Sequence, residues 1–296
     1  MIKPLLSIII PTYNRADKLD TCLSRLHQQD ISKELYEIWV VDDGSQDETQ
    51  KVLTKWLAKS SILHTLKQEN AGQGAARNLA LEKVQGQLVL FLGDDIFAAP
   101  NFLEEHLEFH KQHPNIKQAC LGLTLWEPPT NDFMEWLTNG GPQFAYHKLT
   151  PKKPVSFFYF YTSNISLKKA LIHDFRFDLD FKGYGWEDTE LGYRLTKESQ
   201  MQIIYWPAAV ATHDHKMEAS SLPGKMEQIG RNAKIFQEKY PELRILPRGI
   251  KKILLTIGSA KPMLAILRSL AQFAPKQFQT KYWYWLSKHH YLKGIQ

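Results

Sequence analysis

Apolar runs of strand length alternate with amphipathic stretches over the first 125 residues. Leu5 to Ile10 is a continuous apolar run, and residues 38–41 form a second. Between them Leu19, Leu23 and Leu26 recur at three- to four-residue spacing, which is typical of one buried face of a helix. Strands interleaved with helices predict right-handed βαβ units and therefore an α/β fold around a mostly parallel sheet.

Polar side chains follow the predicted strands where each strand ends. The first strand runs into a Pro-Thr-Tyr-Asn loop at 11–14, the second ends at Asp42 and Asp43, and a later one ends at Asp94 and Asp95. Ligands of parallel sheets bind at the carboxyl ends of the strands. Paired carboxylates there suit a hard divalent cation that bridges phosphates. Asx turns or helix caps are the alternative use of each pair.

The following segments are less regular. Residues 126–185 are rich in aromatic residues, Pro and Gly and have weak periodicity, which predicts loops laid over the sheet, where binding surfaces are commonly built. A helix is predicted from Asp188 to Lys197, and a strand from Gln202 to Tyr205.

Composition and cysteine usage narrow the class of protein. The 296 residues are 43% hydrophobic, enough for one large domain with an appendage. Cys22 and Cys120 are the two cysteines, which argues against a disulfide framework and favours a reducing cytoplasm. The sequence has no apolar run of about 18 residues, and its start lacks a signal-peptide pattern, so we expect a cytoplasmic protein that does not cross the membrane.

Positive charge is concentrated in the last 54 residues. Residues 243–296 hold ten of the 37 Lys and Arg and none of the 31 Asp and Glu, which leaves 27 basic and 31 acidic residues in 1–242. Met263, Ile266 and Leu270 lie at helical spacing there, and aromatic residues cluster among lysines at 281–290. We predict a basic, aromatic-rich helical extension that attaches peripherally to the anionic inner face of the membrane. Packing of its apolar stripe on the rest of the chain is the alternative.

Four segments of the first 95 residues together resemble a known enzyme family. The sequence resembles family-2 glycosyltransferases with the GT-A fold in SIIIPTYNR (7–15), VVDDGS (40–45), NAGQGAARN (70–78) and LFLGDD (90–95). The similarity continues more loosely to about residue 240. It implies a Rossmann-like catalytic domain over 1–242, with a nucleotide-sugar-binding half at 1–125, an acceptor-binding half at 126–242 and the extension at 243–296.

The resemblance also implies which residues contact the donor. Asp43 is expected to face the base, and Asp94 the ribose or the metal, whereas Asn164 lies in a segment similar to a loop that lines the sugar site. Positions that match residues contacting the nucleotide-sugar are Pro11, Thr12, Tyr13, Asn14, Asp43, Arg77, Asp94 and Asn164.

A metal site is implied by the same comparison. Asp95 matches the carboxylate that binds a Mn²⁺ or Mg²⁺ bridging the diphosphate, although Gly93 stands where the family more often has a further Asp. A histidine after a late strand often completes the site, and we predict His213, with His215 as the alternative. A surface pair of histidines without a metal is the other interpretation.

Residues 183–188 (GYGWED) resemble the loop that carries the catalytic base of inverting enzymes. Asp188 is predicted to be the base, since a helix N-terminus keeps a carboxylate ionised. Glu187 is predicted to hydrogen-bond the acceptor, and the roles of the two residues are interchangeable at this level. A helix cap is the purely structural alternative for Asp188.

The resemblance predicts the transfer of a hexosyl or N-acetylhexosaminyl group from a nucleotide diphosphate-sugar, with inversion at the anomeric carbon. A UDP-sugar is the expected donor. The expected acceptor is a glycan or lipid-linked hydroxyl in polysaccharide or cell-surface glycan synthesis. Nucleic acid is not an expected partner, because the catalytic motifs favour a membrane or a lipid-linked glycan. A sugar nucleotidyltransferase would need a glycine- and Arg/Lys-rich loop where 11–15 stand. A catalytically inactive sugar-binding protein is the rival from another class.

Overall fold

A computed structural model of the chain describes residues 3–273 and 276–296. The chain divides into two compact units. The first comprises Met1–Pro128, Lys148–Leu179 and Glu187–His215, and the second comprises Pro129–His147, Asp180–Trp186 and Lys216–Gln296. Every strand of the described residues lies in the first unit. The predicted boundary at residue 242 falls inside the second unit, and the functional division into 1–242 and 243–296 stays a prediction.

One sheet forms the centre of the first unit. Its strands are β1 (Leu6–Thr12), β2 (Tyr36–Asp42), β3 (Leu63–Lys67), β4 (Leu88–Leu92), β5 (Ile96–Ala98), β6 (Gln118–Trp126), β7 (Pro154–Val155), β8 (Asn164–Lys168) and β9 (Gln202–His213). Their order is β3-β2-β1-β4-β8-β6-β9-β5, with β7 paired to β9. The strands β1 to β4 pair in parallel, so their carboxyl ends meet at one edge.

Helices flank the sheet and make up most of the second unit. Those of the first unit are α1 (Ala16–His27), α2 (Thr49–Leu57), α3 (Gln73–Leu81), α4 (Phe102–Gln112), α6 (Lys169–Ile172) and α7 (Glu187–Ser199). Those of the second unit are α5 (Asp132–Asn139), α8 (Leu222–Lys239), α9 (Gly249–Gly258), α10 (Lys261–Phe273) and α11 (Lys276–Gly294).

The hydrophobic pattern of the sequence predicted several of these elements. All seven residues of β1 are buried, as a strand covered on both faces requires. The predicted helical stripe of Leu19, Leu23 and Leu26 is the buried face of α1. The predicted helix Asp188–Lys197 is part of α7, which begins at Glu187.

The prediction of loops throughout 126–185 was wrong in part. Strand β8 lies inside the sheet and pairs antiparallel with both β4 and β6. It was missed because it is five residues long and buries Asn164 and Ser166 where an interior strand normally carries apolar side chains. Hydrogen bonds within the first unit make this burial of polar groups tolerable.

In the second unit α8 and α11 pack at close range. A Cβ at Gly230 of α8 would come within 2.4 Å of the Tyr291 carbonyl oxygen, and one at Gly294 within 2.1 Å of the Glu227 carbonyl oxygen. Trp283 of α11 is buried, with its ring 5.1 Å from that of Phe133. Glycines at the crossing therefore set the distance between the two helices.

Among the described residues, no helix taken singly combines the length and the apolar content that crossing a bilayer requires. The pair α9 and α10, bent by 50° at the break between them, meets that requirement only when both helices are taken together.

Candidate active site

Asp43 is held by the glycine loop that precedes α3. Its amide donates to the carbonyl of Thr12 at 2.9 Å, which ties the end of β2 to the end of β1. Its carboxylate accepts hydrogen bonds from the amides of Ala71 (2.8 Å) and Gly72 (2.9 Å) and from Gln68 Nε2 (2.7 Å). The φ of +92° at Gly72 favours glycine at this turn. The side chain predicted to face the base is thus fixed at the sheet edge.

The neighbouring Asp42 has a structural role. It is fully buried, and its carboxylate accepts hydrogen bonds from the Ser45 amide at 2.8 Å and from Gln50 Nε2 at 2.5 Å. These bonds organise the turn between β2 and α2, so Asp42 has a structural use of the kind considered for the first aspartate pair.

Asp94 and Asp95 follow β4 and share a guanidinium. Thr12 Oγ1 donates to Asp94 Oδ2 at 2.7 Å. Arg15 Nη1 lies 3.1 Å from Asp94 Oδ1 and 2.5 Å from Asp95 Oδ2. Both aspartates are buried, and the shared cation offsets the repulsion between them.

Two histidines approach the same aspartate from the end of β9. The antiparallel pairing of β5 with β9 sets Ile96 opposite His213, which brings Asp95 beside that residue. His213 Nε2 lies 3.1 Å and His215 Nδ1 3.6 Å from Asp95 Oδ2. Ligand atoms of these three residues lie within 4.8 Å of one another. The predicted His213 and its alternative His215 are therefore both brought to Asp95.

This donor set fits a divalent metal. One carboxylate oxygen and two imidazole nitrogens suit Mn²⁺, which accepts mixed oxygen and nitrogen ligands. A Cβ at Gly93 would lie 3.0 Å from Asp95 Oδ1, so the position that departs from the more frequent motif is crowded by the Asp95 carboxylate. The stacking of Trp126 on His213, with ring centroids 5.1 Å apart, orients one imidazole.

The two carboxyl groups titrate differently. Burial and the charge of Asp95 raise the pKa of Asp94 to about 6. Burial alone would raise the pKa of Asp95 too, but hydrogen bonds from His213 and His215 hold it well below its usual range. Asp95 is thus the group kept ionised, as a metal-binding carboxylate must be.

Arg77 of α3 faces the start of α7. Gln73 Nε2 donates to Glu187 Oε1 at 2.6 Å, and Arg77 Nη2 donates to Gln73 Oε1 at 3.1 Å. Arg77 Nη1 lies 4.0 Å from Glu187 Oε1, an ion pair without a hydrogen bond. Among the described residues, the buried Nε and Nη1 of Arg77 find no hydrogen-bond acceptor. A buried guanidinium with spare donors is suited to an anionic ligand.

Asp188 lies in the first turn of α7. Its Oδ1 accepts the amide of Thr189 at 2.7 Å. Burial raises the pKa of its carboxyl above the ordinary value, against the opposing charge of Arg77. Burial thus opposes the predicted effect of the helix start, which favours the ionised carboxylate, and it moves the pKa toward the neutral range in which a general base works. Its bond to Thr189 is also compatible with a capping role.

The remaining predicted residues have distinct surroundings. Pro11 is buried in β1, whereas 45% of Tyr13 is exposed next to it. Asn14 has a φ of +52° and accepts the Gln46 amide at 2.7 Å, which joins two loops. Asn164 is fully buried in β8, where its Nδ2 donates to the Ala209 carbonyl at 3.0 Å and its Oδ1 pairs with His106 Nε2 at 2.9 Å. Its contact with a sugar stays a prediction.

Two residues at this site were not singled out from the sequence. Arg15 lies in the first motif, directly after the Pro-Thr-Tyr-Asn loop, and its position there was the available signal. Gln73 opens α3 and connects Glu187 with Arg77, a role that depends on the meeting of two distant segments. No pattern in the sequence indicates that meeting.

Comparison with known proteins gives a consistent family. The model of glycosyl transferase family 2 matches residues 7–171, more than half of the chain. Validoxylamine A glucosyltransferase of Streptomyces hygroscopicus subsp. jinggangensis is 33% identical over 272 residues, which cover 81% of this chain and 62% of that protein. The chain thus spans less than two thirds of the length of this relative.

Solved structures share the fold at low identity. The mannosyltransferase PcManGT from Pyrobaculum calidifontis, solved with GDP-Man and Mn²⁺, has a TM-score of 0.65 and 18% identity, with 98% of this chain and 87% of that chain covered. TarS 1-349 of S. aureus in complex with UDP has a TM-score of 0.59 and 20% identity, with 98% and 90% covered. Both are GT-A enzymes, which confirms the predicted fold class.

The strand ends, the glycine loop and the LFLGDD segment that suggested a resemblance all lie within the matched region, and the relatives agree with it. The chain therefore belongs to glycosyl transferase family 2.

Proposed function

We propose that this chain is an inverting, metal-dependent glycosyltransferase that moves a sugar from a nucleoside diphosphate-sugar to an acceptor hydroxyl. The observation that carries the proposal is the meeting of Asp95, His213 and His215, next to Asp94, at the sheet edge where Asp43 also lies. That edge is where α/β sheets bind nucleotides.

The donor is expected to lie between the loops that follow β1, β2 and β4. Asp43 offers a fixed carboxylate to the base, and the exposed ring of Tyr13 is available for stacking. Arg77 supplies buried N–H donors for a phosphate or for a donor hydroxyl.

Asp95 and His213, with His215, are the residues that would hold the metal. A bound Mn²⁺ or Mg²⁺ supplies positive charge for the diphosphate leaving group. The guanidinium of Arg15 adds a further positive charge beside Asp95.

In the proposed reaction, Asp188 accepts the proton of the acceptor hydroxyl as that oxygen bonds to the anomeric carbon. The bond between the anomeric carbon and the diphosphate oxygen breaks on the opposite face, and the nucleoside diphosphate leaves with the electron pair. Glu187, whose Oε1 accepts a hydrogen bond from Gln73, is proposed to hydrogen-bond the acceptor. Burial raises the pKa of Asp188 above its ordinary value, which supports its choice as the base.

UDP-sugars are the first donors to test, since TarS was solved with UDP, and GDP-sugars are second, since PcManGT was solved with GDP-Man. The acceptor is proposed to be a glycan or a lipid-linked glycan. A cytoplasmic location is supported by the buried free thiols of Cys22 and Cys120.

The test is a panel of UDP-, GDP- and dTDP-sugars with Mn²⁺ or Mg²⁺, scored by released nucleoside diphosphate. We expect UDP release with one UDP-sugar, lost in Asp95→Asn and kept in the exposed control Asp174→Asn. Release of pyrophosphate from a sugar phosphate and a nucleoside triphosphate would instead identify a nucleotidyltransferase. Calorimetric binding without turnover across a broad acceptor panel would identify a sugar-binding protein.

A further inference from the structure

Helix α9 exposes its apolar face. Ile250 is 75% exposed, Ile253 58%, Leu254 61% and Ile257 62%, and no residue of α9 is buried. The spacing i, i+3, i+4 and i+7 sets these four side chains on one face of the helix. Four large aliphatic side chains on one short exposed helix are unusual for a surface in contact only with water.

Helix α10, which follows α9 after a short break, also has exposed apolar side chains. Leu264 and Leu267 are buried, whereas Met263, Ile266 and Leu270 are 41%, 55% and 41% exposed. A second row of apolar side chains therefore remains outside the packed row. We call the exposed apolar residues of α9 and α10 the α9–α10 face: Ile250, Ile253, Leu254, Ile257, Met263, Ile266, Leu270 and Phe273.

The charged residues of α9 and α10 are all basic. Lys251, Lys252, Lys261 and Arg268 are exposed, and Arg248 precedes α9. Within the described ranges none of these five has an ion-pair partner at 4.0 Å or less. Residues 243–296 contain no acidic side chain that might supply one.

Helix α11 is packed within the second unit, where it contacts α5, α8, α9 and α10. Trp283 is 5% exposed and lies against Phe133 and Trp136. Lys276 pairs with Asp132 at 2.6 Å, and Lys293 with Glu227 at 2.8 Å. The aromatic cluster, which the sequence suggested for a headgroup zone, is thus partly used for packing.

We propose that the α9–α10 face inserts into the headgroup region of a bilayer that contains anionic phospholipids. An in-plane orientation follows from length, because α9 and α10 are about 15 and 20 Å long against a hydrocarbon core of about 30 Å. Lys261 lies at the break between the helices, where a spanning orientation would bury its charge.

Charge complementarity selects this partner over a second copy of the chain. Two such faces packed together would confront five unpaired cations with five more, at a cost that grows at low salt. Nucleic acid would satisfy the cations but leave the aliphatic side chains in water. An anionic lipid surface satisfies both the apolar and the basic groups.

The test is co-sedimentation of the whole chain with vesicles of neutral phosphatidylcholine alone or with about one third phosphatidylglycerol. We expect binding to the anionic vesicles, weakened by salt, because each exposed Lys or Arg contributes several-fold in affinity. Lys251→Gln/Lys252→Gln should weaken this binding about tenfold or more. The matched control Lys33→Gln/Lys83→Gln removes two exposed charges from the first unit and should bind like the parent.

The apolar contribution has its own pair of variants. Ile253→Ser/Ile257→Ser should weaken anionic-vesicle binding about tenfold or more, and the control Leu57→Ser/Ile116→Ser, at residues 44% and 45% exposed, should not. Equal binding of the neutral and anionic vesicles, or unchanged binding of both α9 variants, would overturn the proposal. A dimer in solution that Ile253→Ser/Ile257→Ser dissociates would assign the face to a second copy. Vesicle binding needs no donor or metal, so it is independent of the proposed transfer reaction.

Discussion

Arg15 places a positive charge between the two adjacent aspartates of the site. Its guanidinium contacts both Asp94 and Asp95, two adjacent buried carboxylates that would otherwise repel each other strongly. Arg15 is itself more than a third exposed, so it can move toward solvent or toward a ligand phosphate. The charge of this edge is therefore adjustable, whereas the positions of Asp43 and Asp95 are set by fixed hydrogen bonds and by strand register.

At the residue scale, Asp188→Asn is expected to lower turnover at least about a hundredfold while nucleotide-sugar binding is kept. The amide keeps the shape of the side chain but cannot accept the proton, and a positioned base contributes roughly 10²–10⁴-fold. Steady-state kinetics and calorimetry with the donor measure the two effects. Turnover equal to that of the parent chain would reject Asp188 as the base.

The same residue predicts a pH dependence. Asp188 must be ionised to act, and burial raises its pKa, so activity should fall as the pH drops toward that raised value. The decline should begin at a higher pH than an ordinary aspartate, with a pKa near 3.9, would produce. The profile of kcat/KM between pH 5 and 8 measures this limb. Asp188→Asn should remove the limb of Asp188 and leave any limb that comes from Asp94, whose pKa is raised to about 6.

Loss of either histidine should weaken metal binding. His213→Ala and His215→Ala each remove one nitrogen donor from the cluster at Asp95, and we expect Mn²⁺ affinity to fall at least about tenfold to a hundredfold. Calorimetric Mn²⁺ titration with UDP present gives the affinity without a need for turnover. His64→Ala, at a half-exposed residue of β3, is the control. Full affinity in His215→Ala would restrict the site to Asp95 and His213.

At the scale of elements, α4 and β8 are joined by a buried polar network. His106 Nδ1 lies 2.8 Å and His110 Nε2 2.9 Å from Ser166 Oγ, and His106 also pairs with Asn164. Burial lowers the pKa of His106 to about 4, and burial with the charge of Lys168 lowers that of His110 to about 2. Both imidazoles are therefore neutral in the folded chain.

This network predicts a loss of stability in mild acid. In the unfolded chain these histidines take up protons below a pKa of about 6.5, whereas in the folded chain they stay neutral. Their contribution to the free energy of unfolding is therefore complete above about pH 6.5 and declines as the pH falls toward 4. At pH 5 each of the two buried histidines would lower the free energy of unfolding by about 2 kcal/mol. Urea unfolding at pH 7 and 5 measures the difference. His106→Asn/His110→Asn should reduce the difference in unfolding free energy between the two pH values, whereas His64→Asn should leave it unchanged. An equal difference in the parent chain and both variants would contradict the assignment.

At the scale of the whole molecule, charge and fold divide the chain differently. Residues 1–242 carry 27 basic and 31 acidic groups and 243–296 carry ten basic groups, but α8 and α11 belong to one compact unit. Part of the basic segment is thus a structural partner of α8, while α9 and α10 keep an exposed apolar face.

Removal of the basic segment should consequently damage the second unit. A chain that ends at residue 242 loses α11, whose Trp283 and Leu292 are buried, and we expect faster amide hydrogen exchange in α8. Ile253→Ser/Ile257→Ser should leave the exchange of α8 unchanged, because both side chains are exposed. Unaltered exchange in the truncated chain would show that α11 does not stabilise α8.

Local pattern was sufficient for much of the fold. The parallel strands β1, β2 and β4 and the helices α1 and α7 follow from apolar periodicity, because their burial is nearly complete or one-sided. Strand β8 could not be predicted from the same pattern, because its buried residues include the polar Asn164 and Ser166. Their hydrogen bonds with α4 and a neighbouring strand make this burial possible, and apolar periodicity does not indicate such bonds.

The order of the motifs and the identity of their side chains determined the family. The sequence also placed Asp43, Asp94 and Asp95 at one edge of a parallel sheet, because strands joined by right-handed crossovers end on the same side. The resemblance predicted one histidine, His213 or His215, beside Asp95. The tertiary structure decided that both histidines lie at this carboxylate, that Arg15 spans Asp94 and Asp95, and that α9 and α10 keep exposed apolar side chains while α11 is packed. These contacts join residues far apart in the chain or depend on which face another helix covers, and such distances are set by strand register and packing.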